Sequence, residues 1–223
     1  MASRIFLAGA SRGVGRELAD RLVGHSCQVT ALLRSEAAAD ELRSIGVNLV
    51  MGDALVAEQI EAAVASNGFD AVISTVGGLP KDGQRSDYLG NKNLIDAAVK
   101  AGVRRFILVS SIGSGNSAAA LPPQALQTLG AVLAEKAQAE QHLVASGLTY
   151  TVIRPGGLKS EPATGNGALT LDPTVAGSIH RADVADLVYR CLGSDRSHDQ
   201  ILSAVDRTLV YGQPDFEEFR LDE

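Results

Sequence analysis

The chain has 223 residues, which suits one α/β domain with a complete core, and no shift in composition marks a second domain. Its net charge of −6 argues against nucleic-acid binding, which needs a basic stripe. No apolar stretch is long enough to cross a bilayer and no signal peptide precedes the first strand, so we expect a cytoplasmic protein without membrane contact. The two cysteines, Cys27 and Cys191, match no metal-binding or Cys-x-x-Cys spacing, which predicts buried free thiols and no metal site.

Strand-like and helix-like segments alternate along the chain. Strand patterns occur at 4–9, 27–33, 47–51, 70–76, 104–110 and 148–154, with a weaker seventh near 200–205. Helical patterns occur between them, at about 14–24, 36–45, 55–66, 84–101, 124–146 and 182–192. This order is typical of repeated βαβ units. It predicts a single-domain α/β Rossmann fold within residues 1–205, with a doubly wound, mainly parallel sheet of about seven strands.

Two connections are longer than the others, Gly113 to Pro123 and Gly156 to Ile179. Each follows a late strand, so each is either an ordinary surface loop or part of the carboxyl edge of the sheet, where such sheets bind ligands. The last segment, Asp206 to Glu223, is rich in acidic residues. We interpret this acidic C-terminal segment as a solvated tail or as a segment that folds over a neighbouring edge.

Residues 9–15 read Gly-Ala-Ser-Arg-Gly-Val-Gly, after the first strand pattern and at the start of the first helical pattern. Glycines let the backbone approach a ligand closely, and free N–H groups at a helix N-terminus attract phosphate. A glycine pattern alone is a weak signal, but here a strand and a helix flank it in the required order. The segment predicts a dinucleotide site whose pyrophosphate contacts are Gly9, Ser11, Arg12, Gly13, Val14 and Gly15.

The spacing Gly-x-x-x-Gly-x-Gly resembles that of the short-chain dehydrogenase/reductase superfamily. Later segments narrow the resemblance: Gly52-Asp53, Ser74 to Gly77, Asn91 to Ala98, Ser110-Ser111, Glu135-Lys136, Ile153 to Gly157 and His180 to Ala185. Together they look like the atypical branch that contains biliverdin IXβ reductase/flavin reductase and the NmrA-like NAD(P)-binding proteins. The resemblance covers residues 4 to about 205.

The residue that ends the second strand, Arg34, determines the predicted cofactor. NAD-binding sites place an acid there for the ribose hydroxyls, whereas NADP-binding sites place a cation. The resemblance implies that Arg12 points toward the same region, and two guanidiniums hold a phosphate dianion well. Alternatively, Arg34 is a solvated strand end and Glu36 binds a ribose hydroxyl. We predict NADP(H), with NAD(H) as the second choice.

The catalytic tyrosine of classical members is missing. Those members use a serine, a tyrosine and a lysine, the last two four residues apart on the helix after the fifth strand. Here Lys136 is present on that helix but Val132 has the tyrosine position, and the pair Tyr88 and Lys92 precedes the fifth strand. Reduction of an isolated ketone needs a strong proton donor, whereas flavins, quinones and linear tetrapyrroles spread the new charge. The sequence therefore predicts hydride transfer to a conjugated small-molecule acceptor, with flavin as substrate rather than bound prosthetic group.

The resemblance also implies roles for individual residues. It makes Ser111 and Lys136 the predicted catalytic residues. Ser111 would lie near the acceptor, unless Ser110 and Ser111 only cap the end of the strand. Lys136 would bind the nicotinamide ribose, unless it only forms a surface pair with Glu140. Asp53 is implied at the adenine edge, although it also suits an N-cap. The remaining predicted cofactor contacts are Ala54, Thr75, Gly77, Ser110, Pro155 and Gly156. We expect Arg154 to fix the sixth strand.

Two functions stay open. The first is an NADPH-dependent reductase of a conjugated acceptor, and the second is an NADP(H)-binding redox sensor or scaffold of the NmrA-like type with little catalysis. Loss of the tyrosine suits both. A nucleotide-sugar epimerase or dehydratase is disfavoured, because those chains normally keep the tyrosine and a larger C-terminal region. His180 either faces the substrate cleft or, like Asp183, is a helix-start residue. We expect a monomer or a weak homo-oligomer.

Overall fold

The computed structural model describes residues 3–65, 68–78, 84–212 and 215–222. In these ranges the strands are β1 (Arg4–Ala8), β2 (Gln28–Leu33), β3 (Asn48–Met51), β4 (Ala71–Ser74), β5 (Arg105–Val109), β6 (Thr149–Pro155), β7 (Gly157–Lys159), β8 (Gly167–Thr170), β9 (Ala176–His180), β10 (Gln200–Asp206) and β11 (Val210–Tyr211). The α-helices are α1 (Gly13–Gly24), α2 (Ala39–Ser44), α3 (Ala57–Ala65), α4 (Leu89–Lys100), α5 (Pro123–Val144) and α6 (Arg181–Leu192).

The central sheet has the strand order β3-β2-β1-β4-β5-β6-β10-β8. Its neighbouring strands are parallel except for β8, which runs antiparallel to β10 at the edge. This arrangement confirms the predicted Rossmann-like α/β fold. A second, small sheet has the order β11-β9-β7. Chain order reverses between β1 and β4, and this reversal opens a crevice at the carboxyl edge where α/β sheets bind ligands.

The two faces of the sheet carry separate apolar layers. Along β1, Ile5 and Leu7 pack on the face covered by α1, α2 and α6, whereas Phe6 and Ala8 pack on the face covered by α3, α4 and α5. Side chains alternate between faces along a strand, so a strand buried on both faces must be apolar throughout. In β5, residues 106–109 are buried and apolar, and the buried Arg105 at the start of the strand donates to the Thr151 and Ser197 hydroxyls. Small aliphatic side chains therefore fill a core that has few aromatic residues.

The connection Gly156 to Ile179 contains strands that the sequence pattern did not predict. It contains β7, β8 and most of β9, because these strands are only three to five residues long and too short to show a periodic pattern. The connection Gly113 to Pro123 contains a short 3-10 helix at Gly115–Ala120.

The acidic C-terminal segment is packed on the domain in part. Asp206 is the buried last residue of β10, and β11 follows it. The Phe219 N–H group donates to the Leu169 carbonyl in β8 at 2.7 Å, and Leu221 is buried in the core. The expectation of a solvated tail that starts at Asp206 is therefore wrong for these residues, and the alternative, folding over a neighbouring edge, describes them. Apolar side chains within the acidic run explain this packing.

Neither cysteine forms a disulfide within the described ranges; Cys191 is buried on α6 and Cys27 is half-buried directly before β2. Burial raises the pKa of the Cys191 thiol to about 12, mainly through desolvation. Within the described ranges, no helix is both long enough and apolar enough to span a bilayer.

Candidate functional site

A groove crosses the carboxyl edge of the sheet at the reversal between β1 and β4. It consists of two adjoining cavities of about 590 Å³ and 840 Å³. The cavities share the glycine segment and the end of β4, including Gly9, Arg12 and Gly77. The smaller cavity extends toward β2 and β3, and the larger one toward β5, β6 and the start of α6. A dinucleotide that spans the groove would lie with one half in each cavity.

The glycine segment is packed so tightly against β4 that side chains are excluded. A Cβ atom on Gly15 would lie 2.2 Å from the Gly9 carbonyl oxygen, and one on Gly9 would lie 2.4 Å from Thr75 Oγ1. Gly9 also has a φ of +93°, which disfavours any L side chain. The Thr75 hydroxyl lies 3.2 Å from the carbonyl oxygens of Ala8 and Gly9. Thr75 therefore helps to hold the turn, in addition to lining the larger cavity.

The N-terminus of α1 opens into the groove without a cap. Its N-cap residue Arg12 makes no side-chain capping bond, and the first turn has no acidic residue. Uncapped N–H groups and the helix dipole favour a bound anion at this end. Gly13, Val14 and Gly15, whose N–H groups belong to this first turn, all line the larger cavity, and exposed Ser11 lines both cavities. The local geometry therefore suits a phosphate group.

Arg181, the first residue of α6, is a cation that the sequence analysis quoted but did not assign. Its Nε atom lies 3.6 Å from the position that a Cβ on Gly13 would have, and its guanidinium donates to Ser160 Oγ at 2.6 Å. It lines the larger cavity. No local pattern could have placed it there, because α1 and α6 meet only in the folded chain.

The smaller cavity contains the residues predicted for the adenine half. Arg12, Arg34, Asp53 and Ala54 all line it, and both arginines are exposed. Asp53 Oδ1 accepts from the Leu55 N–H group at 2.9 Å, which forms an Asx turn before α3 begins at Ala57 and not the N-cap of that helix. Two guanidiniums at one cavity suit a phosphate dianion on the adenosine ribose.

The larger cavity contains most of the residues predicted for the nicotinamide half. Ser110, Ser111, Lys136 and Pro155 line it. Gly156 is not among its lining residues. A Cβ on Gly156 would lie 2.2 Å from the Gly177 carbonyl oxygen, so this glycine is needed for the close approach of two backbone segments. Gly156 therefore has a packing role, and its contact with the cofactor stays a prediction.

A buried ion pair behind Ser110 replaces the predicted surface pair of Lys136 with Glu140. Glu140 pairs with Arg154 through two hydrogen bonds of 3.1 Å and 2.6 Å, and both side chains are at most 5% exposed. The Ser110 hydroxyl donates to the same carboxylate. Arg154 thus fixes the sixth strand as expected. Ser110 is buried whereas Ser111 is half-buried, so Ser111 is the more accessible hydroxyl of the two at the cavity wall.

Lys136 pairs instead with Asp87, a residue that the sequence analysis missed. Its Nζ atom lies 2.9 Å from Asp87 Oδ1; the lysine side chain is 17% exposed and the aspartate fully buried. Asp87 Oδ2 accepts from the Gly78 N–H group at 3.0 Å. A Cβ on Gly77 would lie 2.5 Å from Asp87 Oδ1, so a glycine leaves room for the pair. The buried carboxylate fixes the ammonium at the groove wall.

The excluded tyrosine–lysine pair is separate from this site. Lys92 pairs with Asp96 one turn further along α4 at 2.5 Å, as expected for a surface pair. Tyr88 precedes α4 and packs against the apolar layer. Neither residue is among those that line the groove. Val132 is half-buried on α5 and also does not line it.

Comparison with known proteins agrees with this geometry. A family model described as NAD(P)H-binding matches residues 9–195. The chain belongs to the NAD(P)H-binding family. It is 34% identical to the solved structure of the anaerobillin reductase ChuY from Escherichia coli O157:H7, with a TM-score of 0.83 over 91% of this chain and 97% of that one. These matches support the resemblance to the atypical short-chain reductases.

Two relatives that match most of the chain are named for different activities, one as a reductase and one as a sugar epimerase. The chain is 30% identical over 235 residues to sanguinarine reductase from Eschscholzia californica, over 84% of this chain and 83% of that protein. It is 33% identical over 202 residues to the uncharacterized sugar epimerase YhfK of Bacillus subtilis, over 88% of this chain and 91% of that protein. The site and the relatives together indicate an oxidoreductase-like NAD(P)H-binding protein.

Proposed function

We propose that this chain is an NADPH-dependent reductase that transfers hydride to a conjugated acceptor, such as a flavin, a biliverdin-type linear tetrapyrrole or a quinone. The observation that carries the proposal is the nicotinamide half of the groove. It presents Ser111 and an ammonium held by a buried aspartate, and no tyrosine is among the described residues that line it. The names of two relatives, anaerobillin reductase and sanguinarine reductase, support reduction as the activity.

The groove residues suit a bound nicotinamide dinucleotide. Glycines 9, 13 and 15, with Ser11 and Val14, would hold the pyrophosphate against the N-terminus of α1, with Arg181 beside it. In the adenine half, Arg12 and Arg34 would hold a 2′-phosphate, which favours NADP(H) over NAD(H), and Asp53 and Ala54 would contact the adenosine. Thr75, Gly77, Ser110 and Pro155 would line the nicotinamide half, and Lys136 would bind its ribose.

The bound cofactor supplies the hydride, and the protein supplies position and charge. The walls of the larger cavity would hold the acceptor against the nicotinamide face, and such proximity accounts for much of the rate in hydride transfers. The Lys136 ammonium would stabilise negative charge that develops on the acceptor. Ser111 Oγ donates to the Ile112 carbonyl at 2.9 Å, so its lone pairs would accept a hydrogen bond from an N–H or O–H group of the bound hydride acceptor. An acceptor with a delocalised π-system needs no stronger proton donor.

The test is NADPH oxidation with FMN, a quinone and a linear tetrapyrrole offered in turn. We expect turnover with at least one acceptor, and Ser111→Ala should reduce the rate. Ser44→Ala is the control and should leave the rate unchanged, because the Ser44 hydroxyl donates to the Glu41 carbonyl on α2, away from the groove. Tight NADPH binding without turnover on all three would overturn the proposal and favour the redox sensor or scaffold. We also propose a cytoplasmic location, which cell fractionation tests, and a monomeric or weakly oligomeric state, which light scattering tests. The acceptor assay itself tests the small-molecule partner.

A further inference from the structure

Three titratable side chains meet at the rim of the groove, outside the residues assigned to the cofactor. His180 is the N-cap residue of α6, Asp183 lies in its first turn, and Asp206 ends β10. Their side chains are 9%, 4% and 0% exposed. One nitrogen of the imidazole and one oxygen of each carboxylate all lie within 4.8 Å of one another. We call these three residues the His180 cluster.

The imidazole Nδ1 of His180 is buried and has no hydrogen-bond partner. It lies 3.7 Å from Asp183 Oδ2 and 3.8 Å from Asp206 Oδ2, and so faces both carboxylates. The Thr164 hydroxyl lies between the same two oxygens, at hydrogen-bond distance from each. A hydroxyl has one proton and can donate to only one of them at a time. His180 Nδ1 and the two carboxylate oxygens therefore face one another with only the single Thr164 proton between them.

Both carboxylates of the cluster accept hydrogen bonds from fixed donors. Asp206 accepts from the Thr164 hydroxyl and from the N–H group and hydroxyl of Thr208, the latter two at 2.8 Å and 2.6 Å. Asp183 accepts the backbone N–H groups of Thr164 and Gly165, each at 2.9 Å. Two buried carboxylates face one imidazole, and buried charge without compensation is costly.

The far side of the imidazole faces a third carboxylate. His180 Nε2 lies 3.8 Å from Glu161 Oε2, and Glu161 is exposed and lines the larger cavity. Histidines that bind metals commonly direct the second ring N–H group to a carboxylate, which leaves the other nitrogen free to coordinate. A proton on Nε2 would leave the Nδ1 lone pair aimed at two carboxylates. That arrangement is repulsive unless a cation lies between them.

We propose that the His180 cluster binds a divalent transition-metal ion, with His180 Nδ1 and one oxygen each of Asp183 and Asp206 as ligands. Zn²⁺ holds nitrogen and oxygen ligands at about 2.0–2.2 Å, which places tetrahedral neighbours roughly 3.4 Å apart. The observed spacings of 3.7 Å and 3.8 Å therefore need to contract by only a few tenths of an ångström. Exposed Thr164 and Glu161 give the ion a route from solvent, and water completes its coordination.

The proposed ion would join the start of α6 to the end of β10, and the Thr164 hydroxyl in the segment 161–166 already lies at hydrogen-bond distance from both carboxylates. Both Glu161 and Arg181, which flank His180 in the fold, line the larger cavity. Metal binding would therefore stiffen one rim of the groove. The sequence analysis predicted no metal site, because it examined cysteine spacing and had no means of bringing Asp206 beside α6.

The test is a calorimetric titration of the full chain with Zn²⁺, after treatment with a chelator and dialysis. We expect one ion per chain, and a loss of affinity of about tenfold or more, roughly 1.4 kcal/mol, in both His180→Gln and Asp206→Asn. His198→Gln is the matched control, because His198 also lies 3.4 Å from an aspartate, Asp195, but on the surface. It should leave the affinity unchanged, and circular dichroism should establish that each variant is folded.

A second measurement decides the case if a variant fails to fold. Imidazole ¹⁵N spectra of the wild-type chain should show one buried histidine whose Nδ1 is unprotonated and shifts when Zn²⁺ is added. The absence of saturable Zn²⁺ binding would overturn the proposal. Zn²⁺ binding that both substitutions leave intact would overturn it too. A His180 ring that is protonated on both nitrogens and does not respond to Zn²⁺ would also overturn it, because the imidazolium itself would then balance the two carboxylates.

Discussion

The effect of Glu140→Gln on stability distinguishes a surface pair of Glu140 with Lys136 from a buried pair with Arg154. A solvent-exposed pair of Lys136 with Glu140, four residues apart on a helix, would contribute roughly 0.2–0.5 kcal/mol. The structure instead pairs Glu140 with Arg154, at exposures of 4% and 5%. The neutral amide keeps the size of the carboxylate but leaves the buried guanidinium without its counter-charge, and loss of one partner of a buried pair costs about 3–5 kcal/mol.

Urea-induced unfolding measures this difference directly. We expect the free energy of unfolding to fall by about 3–5 kcal/mol, with a decrease in Tm of roughly 6–20 °C for a domain of this size. Glu135→Gln is the control on the same helix, because its partner Arg85 lies 3.8 Å away and both side chains are about one-third exposed or less. It should cost below about 1 kcal/mol. A loss in Glu140→Gln no larger than in the control would refute the buried pair.

Three further predictions concern other parts of the chain. Arg34→Gln should lower NADPH affinity by about tenfold or more and leave NADH affinity nearly unchanged, as measured by fluorescence titration; equal losses for both would contradict the 2′-phosphate assignment. Gly77→Ala should impair NADPH oxidation, because the new Cβ would lie 2.5 Å from the carboxylate oxygen of the buried ion pair, whereas Gly130→Ala, with open space around it, should not. At pH 8, iodoacetamide should label Cys27 slowly and Cys191 not at all until the chain is unfolded, because burial raises both thiol pKa values, that of Cys191 to about 12; mass spectrometry of the labelled peptides checks this.

Local patterns predicted the parts of the fold that local physics determines. Residues 9–15 signal the phosphate turn because the glycines, the preceding strand and the following helix are contiguous. The doubly wound, mainly parallel sheet was predicted from the alternation of strand-like and helix-like segments. The short strands β7 and β8 escaped detection because three or four residues carry no usable periodicity.

The partners of individual side chains could not be predicted in the same way. Lys136 has Glu140 one turn away in sequence, but its ammonium contacts Asp87, which is distant in sequence and lies just before α4. Gly156 follows a proline at a strand end, a position typical of ligand contact, yet its absent Cβ serves the approach to Gly177. Such roles depend on which elements become neighbours, and this is determined only by the complete fold.

The most direct test of the central claim follows the hydride itself. The chain is incubated under anaerobic conditions with NADPH deuterated at the transferable C4 position and a linear tetrapyrrole, and the reduced product is analysed by mass spectrometry. We expect a deuterium atom to appear at a carbon of the product, where it does not exchange with water. Reduced product without the label, or an unchanged tetrapyrrole in the presence of bound cofactor, would contradict the assignment of the groove as a hydride-transfer site for this class of acceptor.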